Sequence, residues 1–420
     1  MRTTPWILLL IVLSLVAAAC GPSVEGPTDD TAVSPDPASL ERLELVAEVG
    51  EGDAAAIGAA VNAFGFDLLA QLTDGTETTV ISPLSVATML AMVLAGAGGE
   101  TATEMAEVLH LEGARDIRVG ALLQQLVDTD DVTLDVANAL WADEGTTFEQ
   151  DYLDVTRAIF DATVEEADLA DPVTADDIDA WVRDQTNDLI DGIAGDLGLP
   201  DPQAVLVLLN AVYFLGEWTT QFDPALTSDL PFALPDGTTA DVATMTMTEQ
   251  SFGYAEADGY RMLRLPYGDE GRFAMEVILP DGDLPAVLAA LDADAWAATV
   301  AQLADTPIDR LALPRFELEW DDELNGALSA LGMQQVFGPA ADLRPMSPVA
   351  PYLDAVVHKT YIRVDEEGTE AAAVTGGAVR TTAAVDQLDF IVDRPFAFTI
   401  SDAETSTILF MGAVTDPRGT

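Results

Sequence analysis

A mixed α/β fold of the α+β kind is what this chain's apolar pattern predicts, on three observations. Ile57, Val61, Phe64, Leu68 and Leu72 recur at steps of four, three, four and four, the spacing of an amphipathic helix. Val132–Leu140 alternates apolar and polar residues, as a strand does. Ala204–Phe214 is almost continuously apolar, the pattern of a central strand covered on both faces. The 420 residues are 49% apolar, enough for a large core.

Residues 1–19 read as a secretory signal, with a basic start at Arg2, an apolar run from Trp6 to Val16, and small residues before Cys20. The run is too short to span a membrane comfortably. Cys20 is the only cysteine and directly follows the small-residue site, so no disulfide within the chain is available to it. Gly21 to Pro37 is rich in Pro, Gly, Ser, Thr and Asp, and residues 20–50 read as a flexible tether reaching roughly 30 Å. No repeat and no later linker is visible. One domain is expected over 51–417, with a tail at 418–420.

Within it, Ser82-Pro83 opens a helix, serine suiting the cap and proline the first helical position. Val86, Met89, Leu90, Met92, Val93 and Leu94 surround that helix and predict burial. Gly98-Gly99 breaks it, and Thr101–His110 begins another. Asp171-Pro172 starts a helix with Ile178, Trp181, Val182 and Leu189 inward. Asn210 interrupts the apolar strand, and a buried amide must find partners. Ser251–Pro280 carries short strands with turns at Asp258-Gly259, Gly268–Gly271 and Asp281-Gly282. Leu311–Trp320 reads as a strand, Asp322–Leu331 as a helix closed by Gly332, and Tyr352–Val364 as the approach to a long loop. The sum is several sheets and about eight or nine helices.

The net charge of −56, from 73 acids and 17 bases, argues against a nucleic-acid partner, which needs clustered Lys and Arg. No basic stripe is present for a heparin-like cofactor either. The acids are scattered, as on a solvated, self-repelling surface that a saline habitat would screen. An enzyme is not expected. The histidines are His110 and His358 alone, and neither a Gly-x-Ser-x-Gly elbow nor a His-Glu-x-x-His zinc motif occurs. The one lysine, Lys359, follows His358, so no Walker loop exists, and Gly96-Ala-Gly-Gly99 lacks the spacing of a dinucleotide fingerprint. Cys20 precedes the domain and cannot serve as a core nucleophile. No cofactor and no metal is expected.

From Val364 the chain runs VDEEGTEAAAVTGGAVRTTAA into small, uncharged residues. Composition alone describes a surface loop. The alternation describes something more: Thr369, Ala371, Ala373, Thr375, Gly377, Val379 and Thr381 would share one face of a strand, and none is charged or large. Such a loop is suited to entering a closed sheet.

Four long words carry a resemblance: HKTYIRVDEEGTEAAAVT from His358, RPFAFTISDAETSTILFMGAVTDP from Arg394, ISPLSVATMLAMVLAGAGGETATEM from Ile81, and LVLLNAVYFLGEWTTQFDP from Leu206. From roughly Asp53 to Pro417 the chain resembles the serpins, serine-protease inhibitors that act as suicide substrates. The resemblance implies the serpin fold, with three β-sheets and an exposed reactive-centre loop at about 366–386. The helix from Asp171 would then lie across the front of the main sheet. It implies that a target protease attacks the loop, forms an acyl-enzyme, and is dragged to the far pole as the cut loop inserts.

Site residues follow by matching motifs. Glu366, Glu367, Gly368, Thr369, Glu370, Ala371, Ala372 and Ala373 match the hinge. Ser82, Ser85, Asn210 and His358 match the polar cluster under the point where the sheet opens. Arg315 and Glu366 match the pair at the loop's base, with Trp218 packed beside it. Counting fourteen residues from Thr369 puts the scissile bond at Thr382–Ala383. Arg380–Thr381, or a position at Ala383 or Ala384, are the alternatives. The small residue before the bond suits an elastase-like or subtilisin-like serine protease. Residues 17–21 resemble a bacterial lipoprotein signal, which implies a lipid on Cys20 and an exported, membrane-anchored monomer. A non-inhibitory serpin used for binding, or a solute-capturing surface lipoprotein, are the other readings.

Overall fold

The structure, a computed structural model, describes residues 52–129, 131–349, 351–369 and 388–418. In chain order its helices are α1 (Asp53–Leu72), α2 (Pro83–Ala95), α3 (Gly99–Val108), α4 (Ile117–Val127), α5 (Gln150–Phe160), α6 (Pro172–Gln185), α7 (Leu284–Leu288), α8 (Ala293–Val300) and α9 (Asn325–Leu331). The strands are β1 (Thr79–Ile81), β2 (Thr133–Asp143), β3 (Thr163–Ala167), β4 (Leu206–Glu217), β5 (Ser228–Ala233), β6 (Thr239–Ala257), β7 (Tyr260–Pro266), β8 (Phe273–Pro280), β9 (Ala304–Pro314), β10 (Phe316–Glu323), β11 (Val357–Val364), β12 (Gly368–Thr369), β13 (Asp389–Ile391), β14 (Phe396–Asp402) and β15 (Ile408–Val414). Nine helices and three sheets among the described residues make this the mixed fold that the patterning predicts.

The periodic stripe on α1 buries Ile57, Val61, Phe64 and Leu68. Helix α2 starts as its sequence dictates. The Ser82 hydroxyl accepts from the Ser85 N–H, Pro83 takes the first turn, and every residue of the helix except Met89 is buried. The largest sheet has the order β1-β15-β14-β8-β7-β6-β9-β13, with β5 also on β6. Strands β8, β14 and β15 are buried at every position, and their side chains form one core with α1 and α2.

These strands bury two carboxyl groups among the described residues, Glu276 on β8 and Asp402 at the end of β14, the latter paired with Arg272 Nε at 2.7 Å. Glu276 on β8 accepts from Thr399 Oγ1 at 2.6 Å and Ser401 Oγ at 2.9 Å, with Arg264 Nε at 3.6 Å. Burial pushes its ionisation above the usual carboxylate range, against the pull of Arg264.

Several expected boundaries shift. Leu311–Trp320 is two strands, because the chain leaves the large sheet at Pro314 and joins β11 from Phe316 on. Strand pairing with β11 continues to Glu323, so α9 begins only at Asn325. The helix from Asp171 ends at Gln185, and Asn187 and Asp188 take positive φ, so Leu189 lies beyond it. Strand β11 occupies only the second half of Tyr352–Val364.

The main sheet is divided. β12-β4-β2-β3 form four strands and β10-β11 form two, and β4 makes no ladder with β11. Across the front of the four-stranded half lies α6 with the segment that follows it. Ile178, Val182 and Ala194 pack there on Ala139, Val207 and Leu209.

Candidate functional site

Between β4 and β11 runs a cavity of about 590 Å³, lined on one wall by residues 203–214 and on the other by 351–363. It explains a departure from the expected central strand. Leu206, Leu208, Asn210 and Val212 stay partly exposed because the slot, and not a neighbouring strand, lies beside them. Both walls present unpaired strand edges, which by their chemistry seek another strand.

The chain itself occupies the top of the slot. After β11 it turns back, with Asp365 N–H donating to Gly368 O, and β12 runs antiparallel to β4 with Gly368 opposite Glu217 and Thr369 opposite Gly216. A Cβ on Gly368 would overlap Gly216 O, so only glycine allows this approach. Thr369 is buried, and its hydroxyl meets the Tyr267 phenol at 2.7 Å. Burial raises the Tyr267 ionisation, so the phenol stays protonated. Trp218 stacks on Tyr267 at 4.5 Å, and its Nε1–H donates to Asp365 O at 2.9 Å.

The loop's base is held by backbone bonds, Trp218 N–H to Glu367 O at 2.8 Å and Phe222 N–H to Glu366 O at 2.9 Å. Glu366 is buried and accepts from Thr227 Oγ1 at 2.6 Å, while Arg315 Nε stands 3.5 Å away. Arg315 and Glu366 thus come together, with Trp218 alongside. The shorter contact belongs to Thr227, which sequence reading does not single out. Loss of hydration, then the nearby Asp365 and Glu217 carboxylates, raise the Glu367 ionisation.

Halfway down, the four polar residues of the expected cluster divide between the walls. On the β11 side the Ser82 N–H donates to His358 Nε2 at 3.0 Å, and Ser82 Oγ donates to Leu409 O at 2.7 Å. Ser85 joins through its N–H on Ser82 Oγ. His358 is buried and accepts at Nε2, so it is neutral, and burial depresses its ionisation to about 4. On the β4 side Asn210 donates to Asn138 Oδ1 at 2.8 Å, and Asn138 donates to Phe160 O at 2.8 Å. Asn210 Oδ1 is buried with no partner among the described residues. The slot itself keeps Asn210 from His358. Asn138 was findable, being an amide inside a predicted strand like Asn210. Tyr267 and Thr227 carry no such signal, because nothing local marks them.

Cys20, Glu370, Ala371, Ala372, Ala373, Arg380, Thr382, Ala383 and Ala384 lie outside the described residues.

The site is thus a slot between two divided parts of a sheet, with the chain's own next segment, Gly368 and Thr369, paired on β4 at its mouth. The family model for serpin, serine protease inhibitor, matches residues 59–417. Leukocyte elastase inhibitor of Bos taurus is 35% identical over 382 residues, covering 86% of this chain and 99% of that protein. An uncharacterised serpin-like protein of Thermococcus kodakarensis is 33% identical over the full length of both. Among solved structures, the thermophilic serpin Tengpin in its native state superposes with a TM-score of 0.78 at 29% identity, covering 88% of this chain and 95% of that one. Cleaved Serpin 42Da gives a TM-score of 0.78 at 30% identity, over 87% of this chain and 99% of that one. The chain belongs to the serpin family.

Proposed function

We propose that this chain inhibits serine proteases as a suicide substrate, its cleaved reactive-centre loop entering the slot between β4 and β11. The seating of Gly368 and Thr369 at the slot's mouth, in antiparallel register with β4, carries the reading. Each further loop residue steps back one residue along β4. Along β4 this register runs from Gly216 to Leu206, opposite Thr369 to Val379. The count of fourteen residues from the hinge threonine keeps Thr382–Ala383 as the proposed bond. About 12 inserted residues at ~0.5–1.5 kcal/mol per net hydrogen bond give on the order of 6–18 kcal/mol, comparable with a typical folding stability of roughly 5–15 kcal/mol. A gain of that size makes the uncleaved form a kinetically held state.

The small residues around Thr382 favour an elastase-like or subtilisin-like target, and the elastase inhibitors among the relatives point the same way. Export and anchoring through Cys20 would place the inhibitor outside the cell. The test is incubation with a panel of serine proteases followed by a denaturing gel. A complex that survives denaturation, released with a small C-terminal fragment, is expected. Simple cleavage by every protease, with no such complex, contradicts the proposal.

A further inference from the structure

Helix α2 turns one face to the slot. Ser82, Ser85, Val86, Met89 and Val93, spaced three and four residues apart, line the cavity from the core side. Four of them are buried, and Met89 alone on this helix is partly exposed. The contrast extends over the chain. Of its 11 methionines Met1 lies outside the described residues, and every other one except Met89 is buried. The rest of α2 is enclosed in the core, so the Met89 thioether is reached through the slot. It is also the one sulfur within reach there, because the chain has no cysteine after Cys20.

We propose that Met89 is a redox modification site, whose oxidation by a peroxide turns the inhibitor off. This rests on the inhibitor reading of the slot. Hydrogen peroxide transfers one oxygen atom to Sδ. The sulfur gives up two electrons, the O–O bond breaks, and the peroxide leaves as water. The product, methionine sulfoxide, is a polar and chiral side chain in place of a flexible apolar one. Val86, Val93 and Phe410 beside it offer no hydrogen-bond donor from their side chains. A strand entering the slot would cover the new oxygen, and burying a polar group without a partner is costly. Oxidation therefore slows filling of the slot and gives the acyl-enzyme time to hydrolyse. Residues 370–387 contain no methionine, so attack on the loop itself is unaffected.

Uncleaved and loop-cleaved protein are treated with hydrogen peroxide, and the sulfoxide is located by peptide mass spectrometry. Met89 should oxidise first in the uncleaved protein, and at least about fivefold more slowly once a strand covers it. Peroxide-treated wild type should then consume at least about threefold more inhibitor per protease trapped, with the rate of loop cleavage unchanged. Met89→Leu should keep its ratio through the same treatment. Met89→Gln, polar like the sulfoxide, should match oxidised wild type without any peroxide. Equal oxidation of Met89 before and after cleavage overturns the switch. So does an unchanged ratio in oxidised wild type, or a rise that Met89→Leu shares. If untreated wild type forms no complex with any protease, the inhibitor reading fails. The switch is then judged by the rise in melting temperature on loop cleavage, which oxidation must reduce in wild type and leave intact in Met89→Leu.

Discussion

Thr369 enters the sheet buried, with its hydroxyl on the Tyr267 phenol. Thr369→Arg would place an unpaired guanidinium there, and burying an unpaired charge is costly. The loop should still be cut, but insertion should lag behind deacylation, turning inhibitor into substrate. The ratio of protein consumed to protease trapped should rise at least several-fold, and an unchanged ratio counts against insertion. His358 makes a separate prediction. The unfolded chain takes up a proton near pH 6.5, and the folded chain not until about 4. Between those values the unfolded state binds more protons, so stability is fully present above about 6.5 and is lost as pH falls toward 4. The loss approaches about 3 kcal/mol at ~1.4 kcal/mol per pH unit. Glu276, raised by burial, works in the opposite direction as pH rises. His358→Gln isolates the histidine: urea midpoints of wild type should fall more steeply than the variant's between pH 7 and 5.

At the scale of elements, the top of the divided sheet depends on Glu366, which joins Arg315 and Thr227 to the base of the loop. Glu366→Lys would set two positive groups together and remove the acceptor that Thr227 uses. Opened strand edges then accept a neighbour's loop by strand addition. More polymer is expected on mild heating, read on a native gel, and a wild-type rate would reduce the pair to a minor surface contact. Much of this region was legible. The helix starts at Ser82-Pro83 and Asp171-Pro172 and the apolar strand with its amide follow from local rules, while the glycine at the hinge is legible through the motif it matches. What stayed hidden is non-local. No residue pattern says that Leu311–Trp320 divides between two sheets at Arg315, because the partner β11 lies more than forty residues on. The slot is likewise invisible in sequence, since β4 reads as fully covered whether its neighbour is a strand or an empty edge.

At the scale of the molecule, 73 acids against 17 bases make the surface self-repelling, and salt should stabilise the domain by screening. The same charge leaves a basic protease as the easier partner to attract. The proposed placement outside the cell rests on Cys20 and residues 1–19, and it is tested by fractionation. Cys20→Ser should release the protein into the medium or block its processing, because one lipid chain holds weakly and two or more hold firmly. Retention in the membrane fraction at the wild-type level counts against the anchor.

The claim on which the account depends is that the slot is filled by the loop once the loop is cut. The direct measurement is thermal melting of the protein before and after proteolysis within residues 370–387, with the fragments left associated. Filling an unpaired strand gap adds backbone hydrogen bonds on the order of 6–18 kcal/mol. The cleaved protein should therefore melt roughly 6–36 °C above the intact one, given roughly 1–2 °C per kcal/mol in a domain of this size. A cleaved protein that melts at or below the temperature of the intact chain would contradict the account.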